Sequence, residues 1–264
     1  NKFNISSDID SLTDENIKNI LCTLGYWPCI RQRPFSKIAN PNKKPKSVFV
    51  SLNPTAPFSL DYTFIMEDKF DIFHTGLEII KKISNATIHL VTSKTQKEKY
   101  DKIEIANVHT ISGPHPAGNV GVHIYNIDPI KNKEDFVWYI SAQDILSIGK
   151  LFISGDPDYT KYISVGGSKN QNINQYYKIL WGTPISYFIG DDILEDQCRL
   201  VSGDIFSGEI TKKENPIGFY DETVSLIAES GKRELLGWLL PGLKKYSLTR
   251  AFLSSLIKKR NTTF

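Results

Sequence analysis

Five residues with special backbone requirements, Gly113, Pro114, Pro116, Gly118 and Gly121, fall within nine positions of one another. Proline removes a backbone donor and glycine tolerates dihedrals closed to other residues, so this density excludes a helix or strand interior and demands a sharply turned, fixed loop. Apolar and polar residues alternate over 105–111 before the loop and over 120–127 after it. The loop is therefore expected to link two sheet elements, or a strand to a bend. His115 and His123, two of the five histidines, lie in or just after it. Gly113 and Gly118 have the spacing of a phosphate loop, but Asn119-Val120 stand where Lys-Ser or Lys-Thr is required. The histidines are eight residues apart, and neither HExxH nor CxxC occurs to complete a metal shell.

Upstream of the loop the elements alternate. Thr13-Asp14-Glu15 opens a helix with a capping hydroxyl and two acids in the first turn; Ile17, Ile20, Leu21 and Leu24 form its apolar stripe and Gly25 ends it. Two prolines, Pro28 and Pro34, argue against regular structure in the next stretch. There Arg31 and Arg33 stand among large aromatics, able either to stack or to clamp an anion. Residues 47–52 are a continuously apolar strand of the kind covered on both faces. Phe73, Leu77, Ile80 and Ile83 have helical spacing, 87–92 and 104–111 are further strands, and 95–100 is a short polar helix or turn. This is the grammar of a doubly wound, Rossmann-like α/β unit, whose ligands sit beyond the carboxyl ends of the strands. After 136–140 a buried helix over 145–152 closes the unit near Gly155, with Gly149 weakening it modestly.

From Lys161 the character changes. Strands over 162–165 and 173–180, a short helix begun by Thr183-Pro184, and glycine-punctuated strands at 200–203 and 205–208 suit a β-grasp module. Strand candidates at 219–228 and 235–240 follow, and then a basic amphipathic helix over 244–260. The expected organisation is thus an α/β and α+β multi-domain chain. An N-terminal helix and Arg/Pro-rich connector occupy 1–40, a Rossmann-like domain 41–156, a β-grasp domain 157–212, and C-terminal strands with the basic helix 213–264.

With 264 residues, 40% hydrophobic and 23% charged, the chain has the composition of an ordinary globular protein, and a net charge of +3 is too slight to imply nucleic acid. Cys22, Cys29 and Cys198 are an odd number at unremarkable spacing and suit reduced thiols. The longest apolar stretch, 234–243, is about half of what a membrane span needs. No GxGxxG and no GxSxG is present, and Asp191-Asp192 reads as a turn. No residue is assigned a catalytic, cofactor-binding or metal-binding role. The abrupt ends suggest a piece of a longer polypeptide.

Several motifs in register carry a resemblance. Arg33-Pro34-Phe35-Ser36-Lys37, Gly113-Pro114-His115-Pro116-Ala117-Gly118, Ala142-Gln143-Asp144-Ile145 with Ile148-Gly149-Lys150-Leu151-Phe152, Val201-Ser202-Gly203 with Ser207-Gly208, and Glu234-Leu235-Leu236-Gly237-Trp238 with Pro241-Gly242 occur in unbroken order. Together with Ser247-Leu248-Thr249-Arg250 they resemble the A subunit of the bacterial Na⁺-translocating NADH:quinone oxidoreductase, essentially from end to end. More remotely the chain is similar to the NADH- and flavin-binding subunit of respiratory complex I and to the C subunit of the Rnf complex. Those relatives share an α/β domain followed by a soluble-ligand-binding β-grasp (SLBB) domain.

The resemblance implies a peripheral subunit on the cytoplasmic side of the bacterial inner membrane, in a complex that passes electrons from NADH to ubiquinone and exports Na⁺. Flavins, iron–sulfur centres and the quinone-reducing site are expected in other subunits, chiefly a membrane-embedded one. The relatives' flavin loop, Gly-Arg-Gly-Gly-Ala-Gly-Phe, corresponds here to Arg31-Gln32-Arg33-Pro34-Phe35, which has no glycine and lacks one N–H. The chain is accordingly expected to be a cofactor-free scaffold. The alternatives are direct ubiquinone binding, or a retained flavin/NADH dehydrogenase. Expected quinone or partner contacts are Arg31, Arg33, Phe35, His115, Lys258 and Lys259.

Overall fold

The computed structural model describes residues 11–167, 174–190 and 198–228, with Gly237, Leu239, 241–243, Phe252 and Leu253. Two sheets organise it. The first contains β1 (Arg31–Arg33), β2 (Lys37–Ile38), β3 (Ser47–Ser51), β4 (Thr87–Thr92), β5 (Asn107–Thr110) and β6 (Val137–Ser141), in the order β2-β1-β6-β3-β4-β5. β6, β3, β4 and β5 run parallel, whereas β1 and β2 are an antiparallel extension at the β6 edge. β3 is buried along Ser47–Val50, as its unbroken apolar run requires.

Helices cover both faces. On one lie α1 (Asp14–Thr23), α3 (Phe70–Ser84) and α6 (Ala142–Ser154), sharing a core with Val48, Val50, Ile88, Leu90 and Trp138; the short α2 (Tyr62–Ile65) precedes α3. On the other, α5 (Val120–Ile127) brings Ile124 against Phe49, Val91 and Val137. The small α4 (Lys97–Tyr100) follows a single 3₁₀ turn at Lys94–Gln96. Local chemistry sets the ends. Thr13 Oγ1 accepts from Asn16 N at 3.2 Å to start α1, and Ser141 Oγ accepts from Asp144 N at 3.2 Å to start α6. Gly155, at φ 73°, ends α6.

The second sheet takes β7 (Thr160–Gly167), β8 (Asn174–Leu180), β9 (Cys198–Ser202), β10 (Glu209–Ile210) and β11 (Thr223–Ala228) in the order β10-β9-β11-β7-β8. β7 and β8 form an antiparallel hairpin, and β11 lies parallel to β7 at the centre. First and last strands parallel side by side, with the hairpin partner on one edge, is the strand order of a β-grasp sheet. Ile163, Val165, Leu200, Val224 and Leu226 fill its core with Ile185 and Ile189.

Several expectations are corrected. Residues 120–127 are helix α5, not a strand: Val120, Ile124 and Ile127 have helical spacing, and all three pack into the small core under the loop. The proline-bounded stretch does hold regular structure, a 3₁₀ turn at Trp27–Cys29 and then β1, because Pro28 sits in the first turn of the 3₁₀ segment and Pro34 just beyond the strand. No strand forms at 205–208, where the Asp204 carboxylate takes the N–H groups of Phe206 and Ser207 at 2.7 and 3.1 Å and makes a turn; the strand is displaced to β10. Pro184 flanks only a single 3₁₀ turn, Ile185–Tyr187. The break expected near 212 falls inside the second sheet, since β11 supplies its central strand. Likewise β1 and β2, read as connector, extend the first sheet. Apart from Gly237, Leu239, Phe252 and Leu253, the strand expected at 235–240 and the basic helix at 244–260, with Lys258 and Lys259, lie outside the described residues, as do Asp191 and Asp192.

Candidate functional site

From β3 the chain steps through β4 to β5 on one side, then returns to place β6 on the other side of β3. The carboxyl ends of β3 and β6, at Ser51 and Ser141, thus flank the topological switch point, where open α/β sheets bind ligands. A cavity of about 470 Å³ opens there. The loops after β3 and β5 and the first turn of α6 form one side, and the 203–207 and 219–223 segments of the second sheet unit close it from above.

Its floor is acidic. Asp144 projects from the first turn of α6, and Glu222, just before β11, accepts a short hydrogen bond from Tyr62 Oη. Lys161, at the start of β7, is buried with its Nζ donating to the carbonyls of Gly218, Phe219 and Asp221 at 3.3, 3.1 and 2.6 Å. Loss of solvent, reinforced by the Glu222 charge, pushes the Asp144 carboxyl up to about 7. Burial, with Asp144 close by, likewise drives the Cys29 thiol far upward, and burial beside Glu222 does the same to the Tyr62 phenol. Lys161 is shifted down by desolvation, against the pull of Glu222 and Asp144.

Arginines form one wall. Arg31 and Arg33 lie two apart on β1, their guanidinium carbons 5.4 and 5.2 Å from the Tyr139 ring centre, and Arg31 also stacks on Tyr220 at 4.0 Å. Arg31 Nε and Nη2 donate to the Ser36 carbonyl at 3.2 and 2.6 Å. Phe35, at the tip of the β1–β2 turn, is 86% exposed. His115 belongs elsewhere. Its ring stacks on Phe206 at 4.8 Å, and its Nδ1 lies 3.3 Å from Thr55 Oγ1, so it ties the Gly/Pro loop to the second sheet unit. The structure therefore groups Arg31, Arg33 and Phe35 and separates His115 from them.

Gly118 of that loop serves the chain itself. A Cβ on Gly118 would stand 2.4 Å from Asn53 O and 2.6 Å from Thr55 N, and the Gly118 N–H already donates to Thr55 Oγ1 at 2.8 Å. Loop meets loop where a phosphate cradle would leave open N–H groups. At the α6 N-terminus the Ser141 hydroxyl takes the Asp144 N–H, and Asp144 adds an acidic side chain to the first turn. The loop after β3 has Pro54 and Pro57 and no glycine. Sequence reading missed Tyr62, Asp144, Lys161 and Glu222 as a group. Nothing in their spacing connects them, because docking of the two units brings them together.

The family described as NqrA second alpha/beta domain matches residues 12–157. The chain is 32% identical over 257 residues to the A subunit of the Na(+)-translocating NADH-quinone reductase of Pasteurella multocida (strain Pm70), covering 96% of this chain and 57% of that protein. It is 30% identical over 261 residues to the corresponding A subunit of Yersinia pestis, covering 98% and 58%. This chain thus spans little more than half the length of these relatives. Among solved structures, a crystal structure of NAD⁺-reducing [NiFe]-hydrogenase in the air-oxidized state superposes with a TM-score of 0.54 at 12% identity, over 85% of this chain and 49% of that one, a likeness of fold alone. Taken with the end-to-end relatives, the matched α/β unit establishes that the chain belongs to the family of Na⁺-translocating NADH-quinone reductase A subunits.

Proposed function

We propose that this chain is the central portion of a cofactor-free A subunit that sits on the cytoplasmic side of the bacterial inner membrane. There it would scaffold a complex coupling electron transfer from NADH to ubiquinone with Na⁺ export. In this reading its neighbours are the other subunits, chiefly the membrane-embedded one that reduces quinone, and they provide the membrane attachment. No described helix is long and apolar enough to cross a bilayer. The observation that carries the redox-silent part is the switch-point cleft. Asp144 and Glu222 line its floor, and Ser141 caps the α6 terminus that opens onto it. A flavin or dinucleotide phosphate brought there would find arginine side chains on the wall but carboxyl groups on the floor, and no glycine-lined cradle of backbone N–H groups after β3.

The test is made on the purified whole complex and on its isolated A subunit. Acid extraction of the isolated protein is expected to release no flavin fluorescence, and titration with FMN or NADH to give no saturable heat. Stoichiometric flavin, or a saturable site abolished by a bulky substitution of Ser141, would overturn the scaffold reading. One observation favours a second reading, direct ubiquinone contact: the cleft wall joins the Tyr139 and Tyr220 rings to the Arg31 and Arg33 donors, which suits a planar ring bearing carbonyl oxygens. A photoreactive quinone that labels only other subunits of the intact complex would end that idea.

A further inference from the structure

The β1–β2 hairpin carries two guanidinium groups on its first strand. Arg31 and Arg33, at i and i+2 on one strand, project to the same side and stack on the same tyrosine, so both planar forks are held in place before any partner arrives. Among the described residues neither has an ion pair. Arg31 spends its donors on the neutral Ser36 carbonyl, and Arg33 Nε is buried with no acceptor. A guanidinium fork at a cleft wall without an anionic partner suits a carboxylate from outside.

The turn beyond them is strained. Phe35 and Ser36 occupy the left-handed region in succession, at φ 73° and 48°. For residues with a side chain that conformation is unfavourable. The outcome is an aromatic ring, 86% exposed, held out beside the arginines, with Lys37 exposed and Ile38 50% exposed on the adjoining strand. β2 is the outermost strand of its sheet. Cations in a fixed fork geometry, next to two exposed apolar side chains on a sheet edge, match a chain segment that alternates carboxylates with apolar residues.

We propose that the β1–β2 hairpin is the docking surface for an acidic, extended segment of another protein. A carboxylate of that segment is taken by the Arg31 and Arg33 forks, and an apolar residue packs on Phe35 and Ile38. Because the arginines form a wall of the switch-point cleft, the docked segment also covers its mouth. An anionic lipid surface fits less well. It rewards lysines on a convex face, whereas these guanidiniums lie stacked on aromatic rings at the lip of a cleft. This inference rests on the reading that the chain works inside a multi-subunit assembly, and its failure is distinguishable from the failure of that reading.

The experiment replaces Phe35 with photoreactive benzoylphenylalanine in the full-length protein expressed with its neighbours, and maps the cross-link by mass spectrometry after the complex is purified. The expected product joins position 35 to a segment of another subunit with Asp or Glu within a few residues. In parallel, Arg33→Glu is expected to reduce recovery of the protein with the complex about thirtyfold or more, the scale of losing one desolvated charge pair, and Arg33→Lys to reduce it less. Charge reversal of the cross-linked acid should restore it. Melting curves of the Arg33 variants matching the parent show that folding is intact. Protein present in the complex but cross-linked only to lipid, only to quinone or to a non-acidic segment overturns the docking proposal and leaves complex membership standing. Failure of the unmodified protein to co-purify overturns the membership itself, and the docking with it.

Discussion

Two buried groups respond to pH in opposite senses, and their balance is measurable. Asp144 has its carboxyl raised to about 7, against about 3.9 in an unfolded chain, so between those values the folded state holds a proton that the unfolded state has released. Its contribution to stability is full below about pH 4 and is lost as pH rises towards 7. His123 is the reverse case. Fully buried, with Nε2 3.0 Å from Ala117 O and Nδ1 without a partner, it is held down to about 4 by desolvation, against about 6.5 when unfolded. Its contribution is present above pH 6.5 and is lost as pH falls towards 4. Over pH 4 to 6.5 the two offset each other. Because desolvation also holds His89 and His109 below the usual histidine value, the parent melting temperature is expected to fall modestly on acidification across this range, that of Asp144→Asn to fall more steeply and that of His123→Gln less. Parallel pH profiles for parent and both variants, by scanning fluorimetry, would show that neither group is shifted as described.

At the level of elements, much was legible. The Thr13 cap, the unbroken apolar run of β3 and the spacing of Phe73, Leu77, Ile80 and Ile83 each correspond to an element in place, because each is a local signal. α5 was misread since Val120, Val122 and Ile124 fit a period of two as well as Val120, Ile124 and Ile127 fit a helix; only packing against Phe49 and Val137 decides. Gly149 shows the same limit. In the sequence it is a weak point of a helix, whereas in the structure a Cβ there would lie 1.9 Å from Ile72 O, and one on Gly76 2.2 Å from Ile145 O. The two glycines face each other across the α3–α6 crossing and let the backbones touch. Gly149→Ala, favourable by intrinsic propensity, is thus expected to destabilise the protein by about 2 kcal/mol or more, read from urea unfolding. Stabilisation instead would mean that the crossing relaxes freely. Of the cleft, the closeness of Arg31 and Arg33 was legible because they stand two apart in one short stretch. The floor was not, because Tyr62, Asp144, Lys161 and Glu222 come from four separate elements.

At the scale of the molecule, the cleft exists because two sheet units are fastened together, and the fastening is polar as well as apolar. Tyr162 and Trp181 pack against the core of the first unit, Tyr26 Oη bridges the N–H and carbonyl of Asp158, and the Phe58 carbonyl accepts from Ser164 Oγ. Gly166 stands so close to the Phe58 ring that a Cβ would meet it at 2.4 Å. The most instructive link is Gln143, in the first turn of α6. Its amide treats Tyr162 of β7 as a strand neighbour would, accepting from Tyr162 N at 2.9 Å and donating to Tyr162 O at 3.2 Å. Gln143 is buried, so Gln143→Leu keeps the volume but strands one N–H and one carbonyl, at about 1–3 kcal/mol each. Because those groups lie on the joint and not in either core, the loss falls on the coupling between units. The parent is expected to melt in one cooperative calorimetric transition, and Gln143→Leu to split it, the second sheet unit unfolding first because, among the described residues, its core is the smaller. One transition at the parent midpoint would show that the joint is held by its aromatic contacts alone, and that the width of the cleft is set without Gln143.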